Sequence, residues 1–179
     1  MNIISKAYCS ALNIIYLTFL KCFSTNKVSF NSIRIGKRFN IAAYDKATIV
    51  LNNLSARNNL NIFVQRGLLM FEEGCFVNNN CSFNCLEKIV IGENTIFGES
   101  VKVYDHDHLI NEDYSTCKNK FVTSPVRIGA NCWIGTNTVI LKGVSIVDNV
   151  VVGANSFINK SIKEPGIYVN KNGSLTKIK

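Results

Sequence analysis

The 179-residue sequence has little proline, histidine or tryptophan and few charges. Because it has two prolines, Pro125 and Pro165, nearly all of its backbone amides can join hydrogen-bonded ladders. Charged residues make up 18% of the chain and hydrophobic residues 47%, which is typical of a single globular domain with a low charge density. The two histidines, His106 and His108, are one fewer than a three-histidine zinc site requires.

The N-terminal segment, residues 1–26, contains no apolar run long enough to cross a bilayer. Its most apolar stretch, residues 7–20, has 14 residues, whereas a membrane-spanning helix needs roughly 20. A signal peptide would have a more basic start and a small-residue cleavage site. We therefore predict an N-terminal helix that docks against the main domain or a neighbouring subunit. The alternative is a helix that rests on a membrane, so that a cytoplasmic protein would lie at its inner face.

The seven cysteines lack the paired spacing of metal ligands. An odd cysteine count without a secretion signal favours a reducing compartment, and hence a cytoplasmic location. The formal net charge is +8, yet there is no recognition-helix pattern and no interleaved aromatic platform, so we do not expect a nucleic-acid partner. The charge instead predicts either a solvated lysine-rich surface or a site for a small polyanion.

What the sequence does contain is a branched apolar residue at every sixth position over its last third. The series consists of Ile128, Ile134, Ile140, Ile146, Val152 and Ile158. A period of six does not fit an α-helix, but it fits a chain that coils in short strands and places one apolar side chain inward per strand. Compact residues follow four positions later and asparagines fall near the corners. The sequence therefore predicts an all-β protein, with a parallel β-helix over residues 27–170 and a basic C-terminal tail over residues 171–179.

The same pattern is traced upstream in shorter runs that are shifted in phase. These runs are Ile91, Phe97 and Val103; Phe71, Val77 and Phe83; and Ile35 and Ile41. Residues 47–68 are irregular, which predicts short insertions or bends there. The repeat stops after Val103 and resumes at Ile128, which predicts one long excursion loop near residues 105–125. Because long loops in compact domains are usually functional or disordered, this loop is the first place to look for a site.

The densest part of the repeat, VRIGANCWIGTNTVILKGVSIVDNVVVGANSFINK over residues 126–160, resembles the hexapeptide-repeat acyltransferases, of the sugar and polysaccharide O-acetyltransferase type. The resemblance implies a left-handed parallel β-helix, acetyl-CoA as co-substrate and no metal. It further implies a homotrimer with active sites between subunits. The implied reaction transfers an acetyl group to a sugar hydroxyl of a capsule or O-antigen polysaccharide, or of its precursor.

The predicted loop holds both histidines of the chain, in the segment VKVYDHDH. This segment resembles the one in which sugar O-acetyltransferases place a catalytic histidine, and the match assigns the general base to His108. Tyr104, Asp105 and His106 are candidate contacts to the acceptor, and His106 is the competing base. We expect the two imidazoles to point in different directions. Asp105 and Asp107 either orient an imidazole or make local turn bonds.

The acetyl-donor side is assigned from the motif CWIGTN and the coil that follows it. Trp133 lies between two inward positions and should therefore face outward, where the resemblance implies that it lines the acetyl-donor tunnel. Subunit packing is a compatible interpretation. The resemblance places further donor contacts at Gly135, Thr136, Ala154, Asn159, Lys160 and Lys177.

On the acceptor side, Asn78 matches an asparagine that the family uses near the sugar hydroxyl. Asn80 is the competitor, and both could be corner asparagines with a structural role. Members that act on simple galactosides carry an acid shortly downstream, where this chain has Cys85 and Leu86. We therefore do not expect a simple galactoside as the acceptor.

Three other functions remain as alternatives. N-acetylation of an amino sugar nucleotide uses the same scaffold, but such relatives usually carry an additional nucleotide-binding domain, and residues 1–30 are too few to form one. A metal enzyme of the carbonic-anhydrase type needs a third histidine. A non-enzymatic structural or binding β-helix should show sustained outward ladders of threonine or similar residues, which the sequence lacks.

Overall fold

The computed structural model describes residues 11–19, 22 and 25–179. From Lys27 onward the chain winds into a parallel β-helix of about six coils, and most coils contribute one strand to each of three sheets. Sheet A contains β1 (Lys27–Asn31), β4 (Thr48–Asn52), β7 (Leu68–Phe71), β10 (Lys88–Ile91), β15 (Val126–Ile128) and β18 (Ser145–Ile146). Sheet B contains β2 (Arg34–Ile35), β5 (Ser55–Ala56), β8 (Phe76–Val77), β11 (Ile96–Phe97), β16 (Trp133–Ile134), β19 (Val150–Val152), β21 (Gly166–Lys171) and β22 (Ser174–Lys177). Sheet C contains β3 (Asn40–Tyr44), β6 (Asn61–Gln65), β9 (Ser82–Cys85), β12 (Lys102–Tyr104), β17 (Val139–Ile140) and β20 (Phe157–Ile158).

The sixfold apolar series points inward, as its spacing predicts. All six side chains are buried in the core. The compact residues four positions after five of them are buried as well, namely Cys132, Thr138, Val144, Val150 and Ser156. Asn137 and Asn155 occupy corners with positive φ angles of 58° and 57°, a conformation that asparagine tolerates better than most residues. The fold class predicted from the sequence is therefore confirmed.

The upstream coils are continuous but longer than the downstream coils, which explains the shifted phase. Ile35 pairs with Ala56, 21 residues later, whereas Ile134 pairs with Val152, 18 residues later. The additional residues lie at the corner where the chain passes from sheet C to sheet A. Residues 47–68, which look irregular in sequence, contain the regular strands β4, β5 and β6.

Three phenylalanines fill the centre of the prism in the middle coils. Phe71 comes from sheet A, Phe83 from sheet C and Phe97 from sheet B, and all three are fully buried. Their rings meet edge to face, with centroids 4.9 Å apart for Phe71 and Phe83 and 5.2 Å apart for Phe83 and Phe97. Such pairs add about 1 kcal/mol each beyond their buried area. The cluster therefore fills the core of the coils from which the excursion departs.

The excursion is an antiparallel hairpin rather than an irregular loop. Its strands are β13 (His106–Ile110) and β14 (Thr116–Thr123), with a register shift between His108 and Ile110. It leaves the prism at the corner between sheets C and A, where the upstream coils already carry their extra residues. A second hairpin, β21 and β22, continues sheet B at the C-terminal end. Residues 171–179, interpreted from sequence as a tail, contain β22.

The helical residues 11–19, here called α1, cover the N-terminal end of the prism. Asn13 donates from Nδ2 to the carbonyl oxygens of Ile35 and Gly36, each at 3.0 Å, and the Tyr16 hydroxyl donates to the carbonyl of Ile41 at 3.0 Å. Leu17 is fully buried. The predicted docking on the main domain is thus observed for these residues, while the remainder of the predicted segment 1–26 lies largely outside the described residues. Within the described part of the chain, no helix has the length and apolar character that crossing a bilayer requires.

Short polar ladders run along the outside of the coils. Asn40 donates to Asn61 at 2.7 Å, Asn61 donates to Ser82 at 3.2 Å, and Asn137 donates to Asn155 at 3.2 Å. Each ladder links two or three coils and then stops, so none is sustained over the length of the prism. Their partners lie 18 to 21 residues apart, which is why the sequence does not reveal them.

Candidate active site

A buried carboxylate fixes the base of the β13–β14 hairpin. Asp105 is fully buried, and its oxygens accept hydrogen bonds from the backbone amides of Leu86, Glu87 and Lys88 at 2.8 Å each. At the equivalent corner of the previous coil, the amide of Leu68 donates to the carbonyl of Glu87. After Asp105 the chain leaves the prism for the hairpin and does not stack a further corner on residues 86–88. The Asp105 carboxylate supplies the acceptors instead, so the amides of Leu86, Glu87 and Lys88 are not left unsatisfied.

The same carboxylate is held in its ionised form. Burial by itself raises the pKa of Asp105, but hydrogen bonds from His106 and from the backbone amides of Leu86 and Glu87 outweigh it, so the pKa lies below its usual value. From its sequence segment, Asp105 is predicted to contact the acceptor sugar. In the structure its side chain has no exposed surface, and its oxygens already accept hydrogen bonds from within the chain. Its position combines both interpretations left open by the sequence, since it orients an imidazole and binds a turn.

His106 lies directly above this carboxylate. Its Nδ1 is 2.9 Å from Oδ1 of Asp105, and an ionised carboxylate can only accept. Nδ1 therefore carries a hydrogen, and in the neutral ring this leaves Nε2 with the lone pair that a base needs. The ring packs edge-on against Tyr104 at 6.4 Å and Phe121 at 5.4 Å between centroids. The imidazole is mostly buried in this position.

His108 is held in the same tautomer by a different acceptor. Its Nδ1 donates to the backbone carbonyl of Cys117 on the opposite strand at 3.1 Å, which in the neutral ring again leaves the lone pair on Nε2. The side chain is exposed, and its ring centroid lies 4.7 Å from that of Phe121. The expectation that His106 and His108 point in different directions is wrong, since both contact Phe121. Side chains alternate along a strand, so residues two apart share one face.

Asp107 points to the other face of β13. Its carboxylate forms an ion pair with the ammonium group of Lys142, which follows β17 in the next coil. Both side chains are partly exposed, so the pair is screened by solvent and contributes little to stability. Its role is geometric, because it ties the hairpin to the coil that follows the insertion.

Trp133 faces outward, as predicted, and its side chain is 55% exposed. On sheet B it lies in register between Ile96 of the preceding coil and Val151 of the following coil. An aromatic side chain of this size, flanked by two aliphatic residues on a flat sheet, offers an apolar surface to whatever covers it.

Gly135, Thr136 and Ala154 come together at the corner between sheets B and C. A Cβ on Gly135 would lie 2.5 Å from the backbone nitrogen of Ala154, so glycine is needed for the coils to stack. Thr136 and Ala154 are exposed, and the carbonyl of Thr136 accepts a hydrogen bond from Asn155 at 2.8 Å. This corner therefore presents small side chains beside Trp133, as a narrow extended ligand would require.

Asn78 lies on the same corner, two coils closer to the N-terminus. Its Oδ1 accepts hydrogen bonds from the backbone of Asn79 at 2.8 Å and from Arg57 at 3.4 Å. Asn80 has a φ of 62° and links Asn59 to Glu99. Both asparagines therefore serve the corner itself. Asn78 keeps its Nδ2 group and stays a candidate for binding an acceptor hydroxyl.

Asn159 and Lys160 line a cleft of about 570 Å³ at the C-terminal end of the prism, beside Tyr168. Lys177 lies close by, but its ammonium group is paired with Glu164 at 2.9 Å. The hydrogen bond between them raises the pKa of Lys177 and lowers that of Glu164. The predicted donor contacts thus fall into two groups, one around Gly135 and one around this cleft.

Within one chain the two histidines and the Trp133 corner are not adjacent. The hairpin leaves the prism between sheets C and A, whereas Trp133 lies on sheet B and Gly135 at the corner of sheets B and C. Sequence reasoning missed the burial of Asp105 and the contact of both imidazoles with Phe121. Only the strand pairing of His108 with Phe121 reveals the latter. In the described part of the chain, no group of three or more His, Cys, Asp or Glu residues is arranged to hold a metal ion.

Comparisons with known proteins agree with this fold. A family model described as the hexapeptide repeat of succinyl-transferase matches residues 125–160. WbbJ of Escherichia coli, named as a lipopolysaccharide biosynthesis O-acetyl transferase, is 33% identical over 107 residues, which cover 55% of each chain. The chain spans about half the length of the curated relatives that it matches.

Two solved structures are similar in fold. A variant of AntD, an N-acyltransferase from Bacillus cereus in complex with dTDP-4-amino-4,6-dideoxyglucose and coenzyme A, has a TM-score of 0.68 at 18% identity and covers 95% of this chain and 88% of its own. The polysialic acid O-acetyltransferase OatWY has a TM-score of 0.52 at 20% identity and covers 86% of this chain and 85% of its own. The predicted left-handed parallel β-helix is thereby confirmed, while the resemblance to the hexapeptide-repeat family is supported by the match of residues 125–160.

Proposed function

We propose that the chain, in which residues 125–160 match a hexapeptide repeat, is an acetyl-CoA-dependent O-acetyltransferase. Its acceptor is a sugar hydroxyl of a surface polysaccharide or of its precursor. The observation that carries the proposal is the hairpin at the sheet C–A corner, which fixes His108 in the tautomer that a general base requires. The similarity to WbbJ supports a polysaccharide context.

The reaction requires one proton acceptor and no covalent enzyme intermediate. Nε2 of His108 removes the proton of the sugar hydroxyl as its oxygen attacks the thioester carbonyl. The carbon–sulfur bond breaks, and the imidazolium returns the proton to the departing thiolate. The products are the O-acetyl sugar and coenzyme A. The hydrogen bond from Nδ1 to the Cys117 carbonyl holds the ring in place through both proton transfers.

The donor lies along the corner of sheets B and C in this proposal. Trp133 covers one side of the thioester arm, and the small exposed residues Thr136 and Ala154 leave room for the arm against the coil. Asn159 and Lys160 reach its phosphates from the C-terminal cleft, where lysine acts as a point charge. Lys177 contributes there after exchanging its partner Glu164 for phosphate.

The acceptor sugar binds beside the hairpin, where Tyr104 and His106 offer an aromatic face and an imidazole. Asn78 lies at the corner of sheets B and C, so in this proposal it completes the acceptor site of a neighbouring subunit through its amide group. Cys85 and Leu86 are both buried and carry no acid, and the carboxylate of Asp105 beside them is buried and already accepts backbone hydrogen bonds. We therefore do not expect a simple galactoside as the acceptor.

A homotrimer unites the two halves of this site. His108 and Trp133 lie at different corners of one prism, so the hairpin of one subunit must meet the Trp133 corner of its neighbour. The row of Ile96, Trp133 and Val151 supplies apolar surface for that contact. In this arrangement the enzyme works in the cytoplasm, at the inner face of the membrane where surface glycans are assembled.

The direct test mixes purified protein with acetyl-CoA and a panel of glycans, and coenzyme A is quantified by chromatography. Acceptor-dependent release is expected for an oligosaccharide with free hydroxyl groups. Release with an amino sugar nucleotide alone would assign N-acetylation instead; AntD is named as an N-acyltransferase. If no acceptor releases coenzyme A and the protein does not bind coenzyme A, a non-enzymatic β-helix becomes the better description.

A further inference from the structure

The net charge of the chain is confined to its first third. Residues 1–66 contain nine lysine and arginine residues and one acid, Asp45, which accounts for the whole charge of +8. Residues 67–179 contain eleven basic and eleven acidic residues. Seven of these nine basic residues lie in the first two coils, so the N-terminal end of the prism is strongly cationic, while residues 67–179 are neutral as a whole.

The basic side chains at this end are all exposed. They lie in the first two coils, directly beneath α1, and comprise Lys27, Arg34, Lys37, Arg38, Lys46, Arg57 and Arg66. Asp45, the acid among them, accepts a hydrogen bond from Gln65 at 2.6 Å. Because adjacent coils are about 4.8 Å apart, the long lysine and arginine side chains of both coils can reach the plane of the prism end. Arg57 is the exception, since its guanidinium group lies over the Phe76 ring and contacts Asn78 in the third coil.

The helix that covers this end presents large apolar side chains to solvent. Leu17 packs into the core, but Ile15 is 64% exposed, Leu12 47% and Ile14 41%. The helix is fixed on the prism by the hydrogen bonds of Asn13 and Tyr16, so these side chains stay outward. Exposed leucine and isoleucine on a docked helix mark a surface that binds something apolar.

We propose that this surface, formed by α1 and the other six exposed basic residues of the first two coils, docks on an anionic phospholipid bilayer. Apolar side chains of an interfacial helix enter the boundary between headgroups and acyl chains, while a surrounding ring of lysine and arginine binds anionic headgroups. A second copy of the chain does not fit this surface face to face, because two cationic ends would repel each other.

Docking in this orientation sets the height of the hairpin above the membrane. The corner from which β13 departs lies three coils above the first coil, which corresponds to about 14 Å at about 4.8 Å per coil. The histidines would then face glycans attached close to the lipid surface. The docking itself is independent of the proposed reaction, and its test reads binding rather than turnover.

The test measures flotation of the full chain with vesicles of phosphatidylcholine alone or mixed with phosphatidylglycerol. We expect binding to the mixed vesicles that weakens as salt is raised, and little binding to phosphatidylcholine. The variant R34E/K37E/K46E should lower binding to the mixed vesicles by more than about tenfold. The matched variant R127E/K171E/K179E changes the charge equally elsewhere on the prism and should bind like the original chain.

The role of the apolar side chains of α1 is tested with Ile15→Ser. This variant should bind less to mixed vesicles at high salt, where the apolar contact accounts for most of the binding that remains. Ile178→Ser is its control, because Ile178 is 56% exposed at the C-terminal end. Circular dichroism and thermal unfolding of each variant establish that the fold is kept. The proposal would be overturned if the two triple variants lost vesicle binding equally, or if the original chain did not bind to mixed vesicles. So would an oligomeric state that changes with Ile15→Ser while vesicle binding is absent, since a second copy would then occupy the surface.

Discussion

The carboxylate of Asp105 joins Nδ1 of His106, at 2.9 Å, to the backbone amides of the coil below. One fully buried side chain therefore anchors the hairpin and sets the tautomer of an imidazole within it. His108 lies two residues further along the same face, so any shift of the hairpin base moves both histidines. Asp105 is a positioning residue in this sense, and its effects on folding and on activity can be measured separately.

Removing the Asp105 side chain should destabilise the protein strongly. Asp105→Ala leaves three backbone amides of the preceding corner without acceptors, and we expect the free energy of unfolding to fall by about 3 kcal/mol or more. Urea unfolding followed by circular dichroism measures this loss. Glu112→Ala, in the exposed turn of the same hairpin, is the control and should unfold like the original chain. Equal stability of the two variants would mean that other groups satisfy the corner.

The contribution of Asp105 to the free energy of unfolding should decrease as the pH is lowered. Its pKa is lower in the folded protein than the usual value of about 3.9, so its stabilisation is present above about pH 4 and is lost as the pH falls through the folded-state value. The difference in unfolding free energy between the original chain and Asp105→Asn should therefore narrow below about pH 4. Unfolding measured from pH 2 to pH 6 tests this. A difference that grows on acidification would contradict the lowered pKa.

His108→Ala should lower kcat by about 10²-fold to 10⁴-fold, as expected for loss of a general base. Binding of coenzyme A, measured by calorimetry, should be unchanged because His108 acts on the acceptor. His106→Ala should have the smaller effect on kcat and should mainly raise KM for the sugar. The reverse ranking would transfer the role of base to His106, whose Nε2 also has the lone pair. Unchanged activity in both variants would remove the hairpin from the reaction.

Trp133→Ala should raise KM for acetyl-CoA and weaken the trimer, because the same outward face serves both in the proposed site. Light scattering over a range of concentrations measures assembly, and initial rates measure the donor KM. Tyr44→Ala is a suitable control, since Tyr44 is 53% exposed and Trp133 is 55% exposed, but Tyr44 lies on sheet C near the N-terminal end. A fully active monomer would show that His108 and Trp133 need no neighbouring subunit.

The strict repeat allowed the downstream coils to be predicted from sequence, because six inward residues at a constant spacing leave one way to wind the chain. The upstream coils were harder to predict, since pairs such as Ile35 and Ala56 are 21 residues apart and their extra residues at one corner break the period. The candidate base, His108, could be predicted from the segment VKVYDHDH in which it lies. The burial of Asp105 and its corner contacts could not, because they join residues of different coils that no local pattern connects.

The cysteines should divide into fast and slow classes toward a thiol reagent. Burial raises the pKa of Cys75 and of Cys81 to about 11, and Cys85 and Cys132 are shifted in the same direction, so all four remain protonated and covered. Cys22 is exposed and Cys117 is partly exposed, and we expect both to react in the folded protein. Mass spectrometry after brief alkylation, with and without urea, assigns each site.

Because Cys117 accepts the His108 hydrogen bond through its backbone carbonyl, Cys117→Ser should keep activity while removing one reactive thiol. Rapid labelling of Cys75 or Cys81 without denaturant would show that the coils beneath the hairpin open far more readily than their burial indicates.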